Sequence, residues 1–578
     1  MSSRFPGVAL LLCLAGCGSL PVVNTPADNT RPVDVKLIAF NDFHGNLKTP
    51  SLRIPVPDAS QSVGFRFEPA GGVEQFAALV QGLRAANPNH AVISAGDMVG
   101  ATPLLSALFS DEPTIEAMNL VGVDFHGVGN HEFDYGIKHL KRLQVGGCKV
   151  SEKSGLPDCE GRPAFPGASF QFLAANVLET GTGKTLFPAY AVREFDGIKV
   201  AFIGLTLRGT AALVRPGGSA GVEFRDEVAT VNALVPQLRQ QGIEAIVVMI
   251  HEGGVQRGGI NECVDFKGEF KGIVEAFDPA VDVVVSAHTH RYYVCEFSRK
   301  LVTSAGSYGT LVTEIDLQLD RKTRDVVSKS ARNLVVKPDG ARDPRLTALV
   351  DRYTVLAKPL ETRVVARLAR ELPNVGNAAG ESLMGNLIAD AQAHAFGMTG
   401  AAAQELKLSP AQYSADGSLR PIAFNNPGSV RSPLIPAADG SVTYGDLFKV
   451  QPFQNDLISM VMTGAQIKAL LEQQFSGARP QVMGVSKGFS YAWDATRPAG
   501  DRVIADSIRV NGQPIVLSDR YQVVANSFIA AGSDGFSKFL EGTDRRVGPL
   551  DLEALVTYLA AQAPYSPPPL GERVTRVD

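Results

Sequence analysis

The sequence has no surplus of basic charge: 55 Lys and Arg stand against 59 Asp and Glu, a formal net charge of −4. Without a positive field to draw in a polyanionic backbone, a polymeric nucleic-acid partner is not expected. A small phosphate ligand stays open, because bound cations set the local field whatever the global charge. Low-complexity tracts and internal repeats are also missing. At 45% hydrophobic and 20% charged residues the composition is that of an ordinary folded protein. The 578 residues exceed what one core holds, so two large domains are expected. The apolar run near the N-terminus, Val8-Ala9-Leu10-Leu11-Leu12-Cys13-Leu14, is too short to span a bilayer. Behind Arg4 it reads as the core of an export signal.

Cysteine is scarce, six residues in all, and the positions agree with export. Cys13 lies in the signal. Cys17 follows Leu14-Ala15-Gly16, which resembles the bacterial lipobox, where the Cys is acylated. Residues 1–16 are therefore expected to be a lipoprotein signal peptide and 17–33 a tether, with membrane contact through a lipid anchor only. The protein would then lie in the periplasm or at the cell surface. Cys148, Cys159, Cys263 and Cys295 remain, an even number suited to two disulfides in an oxidising compartment. Of the three possible pairings, Cys148–Cys159 and Cys263–Cys295 are favoured.

Against these absences stands one recurring pattern: short apolar runs that stop at a metal-type ligand. Val35–Phe40 runs into Asn41-Asp42-Phe43-His44, and Ala91–Ala95 into Gly96-Asp97. Asp124–Val128 leads to Gly129-Asn130-His131-Glu132, Ile246–Ile250 to His251, and Val281–Ala287 to His288-Thr289-His290. Near-continuous Val/Ile/Ala runs are what strands buried on both faces look like, and ligands of such α/β folds gather beyond the carboxyl ends of the strands. Five strand ends thus bring carboxylates, an amide and imidazoles to one rim. Five of the nine His residues fall in this set.

The donors are mixed O and N without Cys, which suits zinc, manganese or cobalt better than calcium. Asp97 has two oxygens and can bridge a pair of divalent ions; two such ions against two carboxylates leave a positive centre that attracts phosphate. A hydroxide held between the ions would be placed for in-line attack on phosphorus. His131 and Asp134, three residues apart, form a carboxylate-oriented imidazole for the phosphoryl oxygens or the leaving group.

Together these segments resemble the calcineurin-like metallophosphoesterases, and their order ahead of a second domain resembles the bacterial exported 5′-nucleotidase/2′,3′-cyclic phosphodiesterase family. The resemblance implies an α/β fold: a four-layer metallophosphoesterase sandwich over residues 34–335, a linker helix over 336–362, a smaller α/β substrate-binding domain over 363–565 and a tail over 566–578. It implies one metal on Asp42, His44, Asp97 and His290 and another on Asp97, Asn130, His251 and His288, with His131 and Asp134 as the catalytic pair.

In the second domain, Gly385–Asp390, Asn426–Arg431 and Phe528–Phe536 are similar to the family's nucleoside-binding segments. They imply Phe453 and Phe528 as the base clamp, Asp534 as acceptor for ribose hydroxyls, and Asn426, Gly428 and Arg431 at the phosphate. Two departures stand out. The family's Asn-Gly-Gly-Gly-Ile-Arg loop reads Asn426-Pro427-Gly428-Ser429-Val430-Arg431, and the stretch Pro373–Glu381 has no Arg. Lys487 is a conceivable substitute cation. The expectation is an enzyme that frees phosphate from 5′-nucleotides. A 2′,3′-cyclic-nucleotide phosphodiesterase or UDP-sugar diphosphatase on the same site is one alternative, a non-catalytic nucleotide-binding surface lipoprotein another. Asp501–Val510 and Tyr521–Ser527 read as strands of this domain.

Overall fold

The computed structural model describes residues 31–578 except 51, 59, 61–63, 151–156, 159–163, 215–216, 398–405, 415–416 and 478. The signal, Cys13 and the lipobox Cys17 lie outside the described residues.

The apolar runs form two six-stranded sheets, the inner layers of the four-layer sandwich that the resemblance implies. In the first, Val33–Phe40 pairs in parallel with His90–Ser94, which continues through Phe125–Gly127 to Gln171–Leu173. Antiparallel Leu311–Leu319 and Val326–Val335 close its other side. In the second, Ile198–Thr206, Ala245–His251, Val283–Ser286 and Lys300–Ala305 run parallel, flanked by antiparallel Tyr190–Phe195 and Tyr292–Phe297.

The sheets face each other across a core in which Leu37, Ile93 and Phe125 meet Phe202, Val247 and Val285. Their outer faces are covered by helices. Phe76, Ile115 and Leu346 pack against one sheet, and Val231, Val235 and Phe270 against the other. Four layers result, and central strands such as Ala245–His251 and Val283–Ser286 are apolar on both faces because both faces are covered, whereas the edge strand Val326–Val335 is mostly exposed or half-buried. The linker helix Pro344–Glu361 starts at Asp343, whose side chain accepts from Arg345 N.

The second domain has a five-stranded sheet ordered Gly484–Val485, Ile422–Asn425, Arg520–Asn526, Asp456–Thr463 and Thr543–Leu550, plus a four-stranded one. The helix Leu383–Ala395 begins at Ser382, which accepts from Gly385 N. Arg520–Asn526 is the central strand expected at Tyr521–Ser527, but Asp501–Val510 is not a strand along its length. Only Arg509–Val510 is, after a short 3₁₀ turn at Ala505–Ser507.

The segment 566–578 is not a free tail. Val574–Arg576 adds a parallel strand beside Tyr491–Trp493, and Arg573, 6% exposed, makes two hydrogen bonds to Asp390, 2.7 and 2.9 Å. The Pro run ahead of it marks a turn back into the domain.

Cys263 and Cys295 are disulfide-bonded. Cys148 is also disulfide-bonded, while its expected partner Cys159 lies outside the described residues. No helix among the described residues is long and apolar enough to cross a membrane.

Candidate metal centre and the cleft beside it

The five strand ends meet at one rim, contributed by both sheets. Asp42 and His44 follow Val33–Phe40, Asp97 follows His90–Ser94, and Asn130 follows Phe125–Gly127; the second sheet supplies His251, His288 and His290. Two groups form. Asp42, His44 and His290 bring their ligand atoms within 4.8 Å of one another, and so do Asp97, His251 and His288. Asn130 joins the second group through His288, Nδ1 to Oδ1 3.1 Å. Asp97 lies between the groups, its Oδ2 2.9 Å from His251 Nε2 and 3.6 Å from His44 Nε2.

The backbone is bent to make this happen. Asp42, His44, Asp97, His288 and His290 all have φ between 45° and 67°. Such left-handed conformations cost a non-glycine residue ~1–3 kcal/mol each and persist only where the surroundings hold them. What holds them is visible. His288 N donates to both Asp42 oxygens, 3.2 and 3.1 Å, and Asn41 Nδ2 donates to Asp42 Oδ2, 2.6 Å. A Cβ on Gly96 (φ 106°) would sit 2.4 Å from His251 Nδ1, so the strand-to-ligand turn there admits only glycine.

The imidazoles are oriented from behind. His44 Nδ1–H donates to Gly100 O (2.8 Å) and His251 Nδ1–H to Ala95 O (3.0 Å), which leaves each Nε2 with a lone pair aimed at the rim. His251 Nε2 is buried without a hydrogen-bond partner among the described residues, and His44 Nε2 faces His290 Nε2 at 3.2 Å. Carboxylate oxygens and imidazole nitrogens converging on one rim are the donor set that a cation requires, so the residues fit divalent metal ions.

The charges agree. Burial, with Asp97 the main force the other way, brings His44 down to about 3, and burial with His251 takes His288 to about 4. Burial also works to raise both carboxyls, but His290 and His251 hold Asp42 below the usual carboxylate range. His251 and His131 hold Asp97 well below it.

His131 Nδ1 is 2.8 Å from Asp134 Oδ2, and its backbone N donates to Asp97 Oδ1 at 2.9 Å. Burial opposes protonation of this imidazole; Asp134 and then Asp97 outweigh it and raise it to about 9.

One residue that the sequence did not reveal in its role is Glu132. It is 1% exposed and accepts from Asp97 N, Met98 N, Val99 N and Gly129 N at 2.6–3.3 Å. Its carboxylate thereby clamps the Asp97 loop to the Asn130 loop. Its place right after His131 was the only signal.

Beside the rim opens a cleft between the domains. Asn130, His131, Asp134 and His288 form one wall, and Asn426, Gly428, Arg431, Phe453, Phe528 and Asp534 the other. All six expected substrate residues reach it. The Phe453 ring lies parallel to His131, centroids 6.0 Å apart and planes at 21°, with the Arg431 guanidinium 5.4 Å from its centre. Asn526 donates to Asn426 Oδ1 (3.0 Å) and Asn426 to Asp534 Oδ2 (2.8 Å), so a chain of amides ends at the Asp534 carboxylate. Burial raises that carboxyl, with Asn426 partly offsetting it. Lys487 is exposed and lines no part of this cleft; its backbone N donates to Asp390.

Comparison with known proteins agrees with this layout. Residues 35–292 match the calcineurin-like phosphoesterase family and residues 362–541 the 5′-nucleotidase C-terminal domain. The chain is 30% identical to an endonuclease of Bacillus subtilis over 91% of its own length and 40% of that protein's. It is 29% identical to a cell wall protein of Listeria monocytogenes over 92% of its length and 67% of that relative's. The chain thus spans well under half of the first relative. Among solved structures, a 5′-nucleotidase precursor from Thermus thermophilus superposes with a TM-score of 0.69 at 26% identity, covering 94% of this chain and 99% of that one.

Proposed function

From the premise that the chain belongs to the family joining a calcineurin-like phosphoesterase domain to a 5′-nucleotidase C-terminal domain, metal-dependent hydrolases of phosphoric esters, we propose that it removes phosphate from 5′-nucleotides. The observation that carries this reading is the cleft itself. It sets His131 and Asp134 of one domain against Phe453, Phe528, Arg431 and Asp534 of the other.

In this reading Asp42, His44, Asp97 and His290 hold one divalent ion and Asp97, Asn130, His251 and His288 the other, zinc, manganese or cobalt by donor type. Such ions supply Lewis acidity toward phosphoryl oxygens and generate the hydrolytic nucleophile. Asp134 fixes the His131 ring through Nδ1, which leaves Nε2 to serve the phosphoryl or leaving oxygen. The backbone bond from His131 to Asp97 Oδ1 ties that residue to a side chain that would hold both ions. Arg431 meets the phosphate, the two Phe rings take the base, and Asp534 accepts from the ribose. Export with a lipid anchor on Cys17 belongs to the same reading and is supported by the lipobox-like Leu14–Cys17 and by the cell wall relative.

A second reading rests on a specific shortage. Among the described residues lining the cleft, Arg431 is the one Lys or Arg. A phosphodiester carries less negative charge than a terminal phosphate and needs less cationic contact, and a nuclease is among the relatives. Rates on AMP, 2′,3′-cyclic AMP and UDP-glucose by manganese-loaded protein separate the two. Preference for AMP supports the nucleotidase reading; turnover of the cyclic or sugar substrate with AMP untouched replaces it.

A further inference from the structure

A second cavity, of about 920 Å³, lies at the domain junction on the other side of the cleft wall. Neighbouring residues of the chain line the two. Asp134 lines the cleft and Tyr135 the junction cavity; Phe453 lines the cleft and Gln454 the cavity. One side comes from the first domain, where Lys138, His139 and Arg142 stand on the helix Gly136–Val145 with Lys149 beyond it. The other comes from Leu360 at the end of the linker helix and from Tyr444 and Phe448 of the second domain.

The chemistry of this wall is one-sided. No carboxylate lines the cavity among the described residues, while Lys138 and Lys149 present ammonium groups reachable from solvent. Behind them Arg142, 9% exposed, donates through Nη1 to Glu112 (2.8 Å) and Gly147 O (3.2 Å). Its Nε and Nη2 have no hydrogen-bond partner among the described residues, although the Phe165 ring lies 5.3 Å from the guanidinium. Nε and Nη2 are the edge with which Arg grips a carboxylate or phosphate side-on, and leaving buried donors unmade is costly. His139 Nε2 is likewise buried and unpartnered. Burial first, then the neighbouring Arg142 and Lys149, bring His139 down to about 3. Tyr135 and Tyr444, each half-buried, add aromatic surface to the same lining, with the Arg363 guanidinium 5.0 Å from the Tyr444 ring centre.

We propose that this junction cavity is a second binding site, for a small ring-bearing organic phosphate. Lys138 and Lys149 take the phosphate oxygens, with Arg142 behind them, and Tyr135 and Tyr444 take the ring. An occupant touches both domains at once, so it is held in the domain placement seen here.

The test uses the manganese-loaded full chain and the hydrolysis-resistant nucleotide α,β-methylene adenosine diphosphate, with bound equivalents counted by equilibrium dialysis. The parent is expected to bind two per chain, and Lys138→Glu/Lys149→Glu one, with thermal unfolding of the variant unchanged. Phe453→Ala/Phe528→Ala, which damages only the cleft, is expected to keep the equivalent that the lysine variant loses. A single equivalent in the parent, kept in the lysine variant, overturns the proposal. A single equivalent that the lysine variant loses upholds it while removing the nucleotide reading of the cleft, so the two fail separately.

Discussion

The two walls of the cleft are built on opposite principles. On the metal side Asp42, His44, Asp97 and His251 are at most 1% exposed, five ligands sit in left-handed backbone, and nearly every polar atom is held by a neighbour or aimed at the rim. On the facing wall Phe453, Phe528 and Asp534 are half-buried and Arg431 is exposed, with one chain of amides to position them. Groups that must hold ions within tenths of an ångström are fixed by strain and by backbone hydrogen bonds, because positional error there is lost rate. Groups that hold a base need only a flat surface and room, since every base has a π-face. Damage to the first wall should therefore appear in turnover and damage to the second in substrate affinity.

The comparison breaks most severely at Asp97, the side chain between both ligand groups. Asp97→Ala is expected to cost roughly 10³-fold or more in kcat and to lower bound metal, read by phosphate release and metal analysis. Retention of both would move the centre elsewhere. His131→Ala touches the chemistry without either ligand group: kcat should fall about 10²- to 10⁴-fold with metal content unchanged.

Next comes Glu132→Gln. The amide keeps the shape but turns an NH₂ toward backbone N–H donors, so the loops of Asp97 and Asn130 loosen. Metal affinity should weaken about 10- to 100-fold, measured by chelator competition, and excess metal should restore activity. Activity that excess metal does not restore would give Glu132 a direct part in catalysis.

Phe453→Ala and Phe528→Ala have the smallest expected effect, about 1–3 kcal/mol of stacking each, seen as a higher KM with kcat nearly kept. The same loss in kcat for Phe453→Ala would mean that its ring, parallel to His131, orients the imidazole rather than the base.

The difference between the walls also decides what could be read from sequence. The metal side was legible because buried strands leave near-continuous apolar runs, and each run of Ile246–Ile250 type stops at the residue that matters. That the runs belong to two sheets came from the family resemblance and not from the runs themselves, since periodicity reports burial and not the partner strand. Glu132 was visible as a letter but not as a clamp, because three of its four partners are backbone N–H groups 33 to 35 residues away. In the second domain Val574 and Arg573 joined the fold through a strand partner and an ion pair more than 80 residues distant, which the Pro-rich approach concealed. Asp501–Val510 buries Val503 and Ile508, but these lie five apart, on opposite faces of any strand, and the 3₁₀ turn at Ala505–Ser507 between them leaves only Arg509–Val510 as strand.

The division of labour is tested most directly by steady-state kinetics on AMP with manganese-loaded His131→Ala and Phe528→Ala beside the parent. The account predicts that kcat collapses in the first with metal content intact, and that KM rises in the second with kcat near the parent's. A Phe528→Ala protein with lowered kcat and unchanged KM, or a His131→Ala protein that turns over normally, would contradict it.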